Sequence, residues 1–421
     1  MDLALNNGKA YINGGIKKTN ILIHNGKIIE ISEKKFKADR EIDCEGLLIL
    51  PGAIDVHVHF RVPGAEYKED WFSGSLAALH GGVTTVMDMP NTNPATTTKK
   101  ALEEKREIAK KTSFVDFDLY MAATNDNLSE IENANLRGVK VYYGSTTGNI
   151  LFNNKNKMEE LFKLAKKKGF VVVVHAEDDD EIKENEKKFA NKNDPSIHPK
   201  IRTEKAEAKA IEVVLELQKE IGNKLHIAHI SSKKGLELVK KAKKRKNGKF
   251  VTCEVTPQHL FLNSSAYKKL GNFIKCNPSI KEEKHRKALF AEVKSGAIEI
   301  VSTDHAPHSL EEKQQEYWKA PSGVPGVETM LPLLLDAVNT GKLPLKRVME
   351  AVCERPAEIF NWKNKGFIKK GFDADLVLVD MKAVHLLRNE ELFTKAKYTP
   401  WNGKKLKGAI EATIAGGRVY G

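Results

Sequence analysis

GVKVYYG, residues 138–144, is a short β-rich run closed by a glycine at each end. On a strand, Val139, Val141 and Tyr143 share one face and Lys140 and Tyr142 the other, because successive side chains alternate. If the first face packs against a covering helix, Lys140 points into whatever the sheet encloses. A lone ammonium in an interior is costly. How this stretch is read therefore bears on both the architecture and the place of the chemistry.

Seven more apolar runs resemble it: GAIDVHVHF (52–60), VTTVMDM (83–89), DFDLYMAA (116–123), FVVVVHAE (170–177), KLHIAHIS (224–231), FVTCEVTP (250–257) and AIEIVSTDH (297–305). Amphipathic helical patterns separate most of them. In TEKAEAKAIEVVLELQKEIG (203–222), Ala206, Ala210, Val213, Val214, Leu217 and Ile221 fall on one stripe. Eight such runs alternating with helices predict a (β/α)8 barrel over 51–362. The two ends read differently. KAYING (9–14), TNILIHNGKIIEI (19–31) and EIDCEGLLIL (41–50) are strand-like, with Asn-Gly and Gly-Gly turn signals. GFDADLVLVDM (371–381) and GAIEATIAGGRVYG (408–421) match them. Residues 1–50 and 363–421 are thus expected to join into one small β-sandwich beside the barrel. The fold class is α/β.

Composition excludes several functions. The chain has 421 residues, 41% hydrophobic and 30% charged, enough for a large soluble core. No apolar stretch is long enough to cross a bilayer, and the start has no signal-peptide h-region, so a cytoplasmic protein is expected. Cys44, Cys253, Cys276 and Cys353 are scattered, which argues for buried thiols and against a disulfide framework or zinc ribbon. The net charge of +13 suits either nucleic acid or an acidic substrate. The densest basic segment, KKAKKRKNGK (240–249), ends a helical pattern and holds no aromatics. It reads as a solvated helix terminus, so no nucleic-acid partner is expected. Abundant Lys and Glu also fit adaptation to heat.

The ionisable residues of the eight runs gather at one end. His57 and His59 point to the same side of the first strand. His175, His229 and Asp304 close the fifth, sixth and eighth runs. Barrel enzymes keep their active sites at that C-terminal end. A lone strand histidine is usually structural, and His-x-His is frequent by chance. Five candidates at matching strand ends point to a divalent-metal site, with zinc the first choice.

These same segments resemble the amidohydrolase superfamily, and within it the dihydroorotase branch. The likeness runs through PGAIDVHVHFR (51–61), GGVTTVMDMPNTNP (81–94), HAE (175–177), HIS (229–231), VTPQHL (255–260), NPSIK (277–281) and STDHAPH (302–308). It implies reversible cyclisation of N-carbamoyl-L-aspartate to L-dihydroorotate in pyrimidine biosynthesis. Another cyclic amidase, such as an allantoinase or hydantoinase, stays open, as does a scaffold that has lost its metals. The resemblance implies two zinc ions per subunit, bridged by a carboxylated Lys140 and a hydroxide. His57, His59 and Asp304 would hold one ion and His175 and His229 the other, with Asp304 the catalytic proton carrier. It also implies that Arg61, Asn91 and His308 bind the substrate carboxylate, a task for which a guanidinium fork is suited. Asn277 would contact the ring, and His59, Ser322 and Gly323 would line the substrate. Without the motifs, Arg61 reads as a surface ion pair, and Asn91 and Asn277 as turn residues.

Two details sharpen this. Part of the branch bridges its metals with an aspartate after strand four, but YYGSTTGNILFNN (142–154) contains no Asp. A carboxylated Lys140 is therefore expected, against the alternative of a lysine snorkelling to solvent. Where many bacterial members carry Phe-Gly, this chain has APSGVPGVET (320–329), with Ser322. A backbone contact there would survive the change and a ring contact would not. In the 145–157 loop, Thr146 and Thr147 are candidate donors to a carboxylate, although an ordinary polar loop is the simpler account. The partner is a small-molecule substrate. A homodimer and an association with aspartate carbamoyltransferase are both compatible with the resemblance.

Overall fold

Paired left-handed residues shape the N-terminal meander. Asn13 (φ 51°) with Gly14 (φ 80°), and Asn25 (φ 47°) with Gly26 (φ 75°), form two-residue turns whose twist suits a hairpin. In the computed structural model, which describes residues 2–145 and 150–421, these turns link β1 (Asp2–Ile12), β2 (Gly15–His24) and β3 (Lys27–Ser32). KAYING is only the second half of β1. The register shifts between Leu5 and Gly8, where Asn7 takes φ 63°. The strand bends there. Its first half pairs with β4 (Arg40–Asp43) and its second with β5 (Leu48–Pro51).

Eight parallel strands follow, with helices between them. They are β6 (Ala53–Val58), β7 (Val83–Asp88), the split strand β8 (Asp116–Leu119) and β9 (Met121–Ala122), β10 (Gly138–Tyr142), β11 (Val171–His175), β12 (Leu225–Ile227), β13 (Val251–Val255) and β14 (Ile300–Val301). Tyr120 interrupts the third strand, but its N–H still donates to Asp88 O at 3.0 Å. The barrel closes where Val58 bridges His305 and the His59 N–H donates to His305 O at 2.8 Å. Val139 and Val141 of β10 pack outward in the same core as Leu161, Phe162 and Ala165 of the helix Lys155–Lys168. Lys140 and Tyr142 therefore face inward. Ile54, Val56, Met87, Val173 and Ile300 fill the lower interior, which leaves the upper end for polar groups.

The helix expected within 203–222 spans Glu204–Ile221. Thr203 caps it by accepting from the Ala206 N–H, and Gly222 ends it at φ 78°. Val213 does not lie on the buried face. It is 37% exposed, while Ile211 and Leu215 are buried beside Ala210, Val214 and Leu217. The buried stripe is thus wider than the one read from spacing, as packing on two neighbours requires. The basic segment after Val239 is partly paired: Lys243 meets Glu299 at 2.6 Å and Arg245 meets Glu216 at 2.7 Å. All four cysteines are buried and free.

The chain ends in β15 (Leu376–Leu386), β16 (Lys405–Ala415) and β17 (Arg418–Tyr420). β15 lies antiparallel to β5 and so joins the two termini in one eight-stranded sheet. Leu3, Leu5, Ile21, Ile28, Ile49 and Leu376 fill the sandwich interior. No helix among the described residues is long and apolar enough to cross a membrane.

Candidate metal centre and substrate cavity

Asp55 sets the geometry of the first strand. It is fully buried and accepts from Thr303 Oγ1 (2.5 Å), Thr303 N (3.1 Å) and His57 N (3.2 Å). These bonds tie β6 to the segment that carries Asp304. Burial pushes its carboxyl up to about 7. His57 ends inside β6, whereas His59, His229 and Asp304 lie one to three residues beyond their strands. Arg61 (φ 65°), His229 (φ 34°) and Asp304 (φ 49°) all take left-handed conformations, which cost energy outside glycine. The surrounding bonds hold them there.

Hydrogen bonding sets the imidazole tautomers. His57 Nδ1 lies 2.5 Å from Glu254 Oε1, so this nitrogen carries the proton and Nε2 keeps a lone pair. His59 Nδ1 lies 2.7 Å from Asn91 Oδ1, with the same result. Both Nε2 atoms face Asp304 Oδ1, at 3.3 Å and 3.0 Å. Three acceptors thus converge on one space, and that arrangement is repulsive unless a cation sits among them. Nearby, His175 Nδ1 and His229 Nε2 stand 3.0 Å apart. His229 Nδ1 is buried with no hydrogen-bond partner among the described residues. Burial lowers the pKa of His57, His59 and His229, which keeps them neutral, as metal ligation requires. Burial raises that of Asp304.

Lys140 is 1% exposed. Its Nζ lies 3.5 Å from His57 Nε2, and among the described residues it has no ion-pair partner. Burial lowers its pKa to about 8. Arg61, Asn91, Tyr142, Asn277, Ser322 and Gly323 complete the cavity wall around these groups. Arg61 Nε donates to Pro307 O at 3.2 Å. It also lacks an ion-pair partner among the described residues. His308 lies against Arg61 and Ser322. Its Nδ1 lies 3.1 Å from Lys68 Nζ and 3.5 Å from a Glu312 carboxylate oxygen. Its Nε2 lies 3.1 Å from Ser322 O and 3.3 Å from Arg61 Nη2, so each ring nitrogen faces both a donor and an acceptor. Asn277 Oδ1 lies 3.2 Å from His198 Nε2. Thr146 and Thr147 fall outside the described residues.

Several residues here escaped the sequence reading. Glu254 orients His57 and accepts from the His229 N–H at 3.2 Å. Its signal, an acid inside the apolar run VTCEV, was the same as that of Lys140. Glu177, 3.2 Å from His175 Nε2, pairs with the buried Arg202. A second acidic group, Asp116, Asp373 and Asp375, surrounds the Lys365 ammonium, and Asp373 also pairs with Lys27, so two cations offset part of its charge.

The amidohydrolase family model matches residues 48–420. The dihydroorotase of Methanosphaera stadtmanae is 38% identical over 99% of this chain and 96% of its own. That of Methanosarcina acetivorans is 39% identical over 96% of this chain and 88% of its own. Among solved structures, the L-hydantoinase (dihydropyrimidinase) of Arthrobacter aurescens superposes with a TM-score of 0.95 at 32% identity. That alignment covers 99% of this chain and 95% of the other.

Proposed function

The chain belongs to the amidohydrolase family, and from that premise we propose that it acts as a dihydroorotase, interconverting N-carbamoyl-L-aspartate and L-dihydroorotate plus water. Arg61 carries this choice. A buried guanidinium facing a cavity, with no ion-pair partner among the described residues, calls for an anion. Dihydroorotate brings a ring carboxylate, which hydantoin, allantoin and dihydrouracil lack. The curated relatives named dihydroorotase support the same choice.

In this reading His57, His59 and Asp304 would hold one zinc ion and His175 and His229 the second. The converging lone pairs of the first group and the approach of His175 Nδ1 to His229 Nε2 support it. Lys140 would be a further ligand after its neutral amine adds carbon dioxide, giving a carbamate and releasing one proton. The lowered lysine pKa raises the fraction of neutral amine near neutral pH. Divalent metal held there supplies carbonyl polarisation and a water acidic enough to lose its proton near neutral pH. The chain's own groups do the rest. Arg61 and Asn91 bind the ring carboxylate with His308 as a third contact, Asn277 contacts the ring, and His59, Ser322 and Gly323 line the substrate. In hydrolysis Asp304 takes a proton from water and delivers it to the departing ring nitrogen as the amide C–N bond breaks. In cyclisation the same carboxylate receives the ureido proton. Residues 51–362 form the barrel unit of this enzyme, and 1–50 with 363–421 its β-sandwich.

The structural likeness to an L-hydantoinase favours cyclic imide hydrolysis as the second reading. Assays on dihydroorotate, hydantoin, dihydrouracil and allantoin separate the two. We expect turnover of dihydroorotate alone, and an Arg61→Met variant should raise its KM by about tenfold to a hundredfold, the loss of a charge-assisted contact. Turnover of the uncharged rings with none of dihydroorotate would sink the proposal. Metal analysis showing no zinc would revive the scaffold reading. Sedimentation, alone and with aspartate carbamoyltransferase, tests the homodimer and that association.

A further inference from the structure

We infer that Lys313 and Lys275 are positioning residues that lock the main chain of the Ser322–Gly323 wall, and that substrate affinity depends on this lock. The inference rests on the reading of this cavity as the substrate site.

Lys313 is 1% exposed. It ends the short helix Leu310–Lys313, which begins just after His308. Its three N–H donors meet three carbonyls: Gly323 O at 2.9 Å, Pro321 O at 3.0 Å and Lys275 O at 3.2 Å. An ammonium has only three donors, so all are used. Among the described residues no carboxylate pairs with it. A buried cation without a counter-ion is tolerated only while its hydrogen bonds are complete. Two of those bonds come from the wall itself. Burial already lowers its pKa to about 7, so if the wall moved, the ammonium would lose those bonds and its proton with them.

Lys275 repeats the device from the other side. Its Nζ donates to Tyr317 O and Ala320 O, each at 2.6 Å, and lies 4.3 Å from the centre of the Tyr317 ring. Its own carbonyl accepts from the Gly323 N–H at 2.8 Å. The two lysines therefore hold carbonyls at 317, 320, 321 and 323. Gly323 presses on the segment after Asp304 so closely that an added Cβ would fall 2.3 Å from Ala306 O. The lock also reaches Asn277: Tyr317 OH donates to His198 Nδ1 at 2.8 Å, and the other nitrogen of that ring faces Asn277 Oδ1. Ser322 is thus a small residue on a wall braced by two ammonium groups.

The test compares the zinc-loaded wild type with Lys313→Met and Lys275→Met. Steady-state kinetics on dihydroorotate, zinc content and amide hydrogen exchange over 317–323 are read together. We expect KM to rise about tenfold or more with kcat within about threefold, the signature of lost binding rather than lost chemistry. Zinc content should stay equal, and exchange over 317–323 should quicken. A KM within about twofold of the wild type with unchanged exchange overturns the lock, and so does a parallel loss of zinc and kcat. If Lys313→Met does not fold, Lys275→Met, nearer the surface, carries the test. A wild type inert on dihydroorotate would defeat the functional reading, while the exchange measurement would still decide the lock.

Discussion

Lys140 enters the cavity from β10 and Glu254 from β13, and each brings a charge into the barrel interior. Each is explained by a partner. Glu254 fixes the His57 tautomer, and the proposed carboxylation would make Lys140 an anion. Replacing Glu254 with Gln should weaken metal binding by about tenfold to a hundredfold, the usual effect of removing a carboxylate behind a ligating histidine. Competition with a coloured chelator would measure it, and unchanged affinity would contradict the proposed ligand set. Lys140→Ala should bind less than the wild-type complement of metal and lose hydrolysis. Full zinc content with full activity would rule out the bridge. At this scale the sequence was readable wherever an ionisable residue interrupted an apolar run, as at His57, His175 and Lys140. Glu254 and Asp55 carried the same signal unread. Lys275, Lys313 and Arg202 lie in segments already rich in charge, where a solvated side chain is the default expectation.

The eight barrel strands were legible because alternation and turn residues act over a few neighbouring positions. Their ends were less so. His229 and Asp304 lie past β12 and β14 on left-handed backbone, a conformation imposed by distant bonds rather than by local preference. One such bond network links two elements. Lys105, on the helix Lys99–Thr112, reaches Asp88 Oδ2 at 2.5 Å and Met89 O at 2.8 Å, while Asp88 Oδ1 accepts from the Phe60 N–H at 2.6 Å. This ties β7 to the turn that presents Arg61. Both charges are fully buried, so Lys105→Met strands a carboxylate and should cost about 3–5 kcal/mol. Urea unfolding monitored by tryptophan fluorescence measures the loss. A change below about 1 kcal/mol, the size of a surface pair, would contradict the assignment.

Between barrel and sandwich, Lys365 joins Asp116 of β8 to Asp375 beside β15, at 2.5 Å from the latter. These carboxylates raise the Lys365 pKa above its ordinary value despite burial. A lysine of this kind stabilises fully below its unfolded pKa of about 10.4 and loses the contribution as pH climbs toward the higher native value. Lys365→Met should therefore lower stability by about 3–5 kcal/mol. The gap from the wild type should stay level through neutral pH and narrow above about pH 10.4. Melting curves across that range check it, and a gap that widens at high pH would refute it. Over the whole molecule, the sequence by itself determined the alternation of strands and helices, the β-rich ends and the gathering of ionisable residues at the strand ends. All of these follow from side-chain periodicity, turn chemistry and residue type along short stretches. Only the tertiary structure decided which imidazole nitrogens keep a lone pair, which buried cations lack a carboxylate, and which carbonyls Lys313 holds. Those depend on approach through space between segments far apart in the chain, as with His57 and Glu254, 197 residues apart. No local pattern encodes such distances.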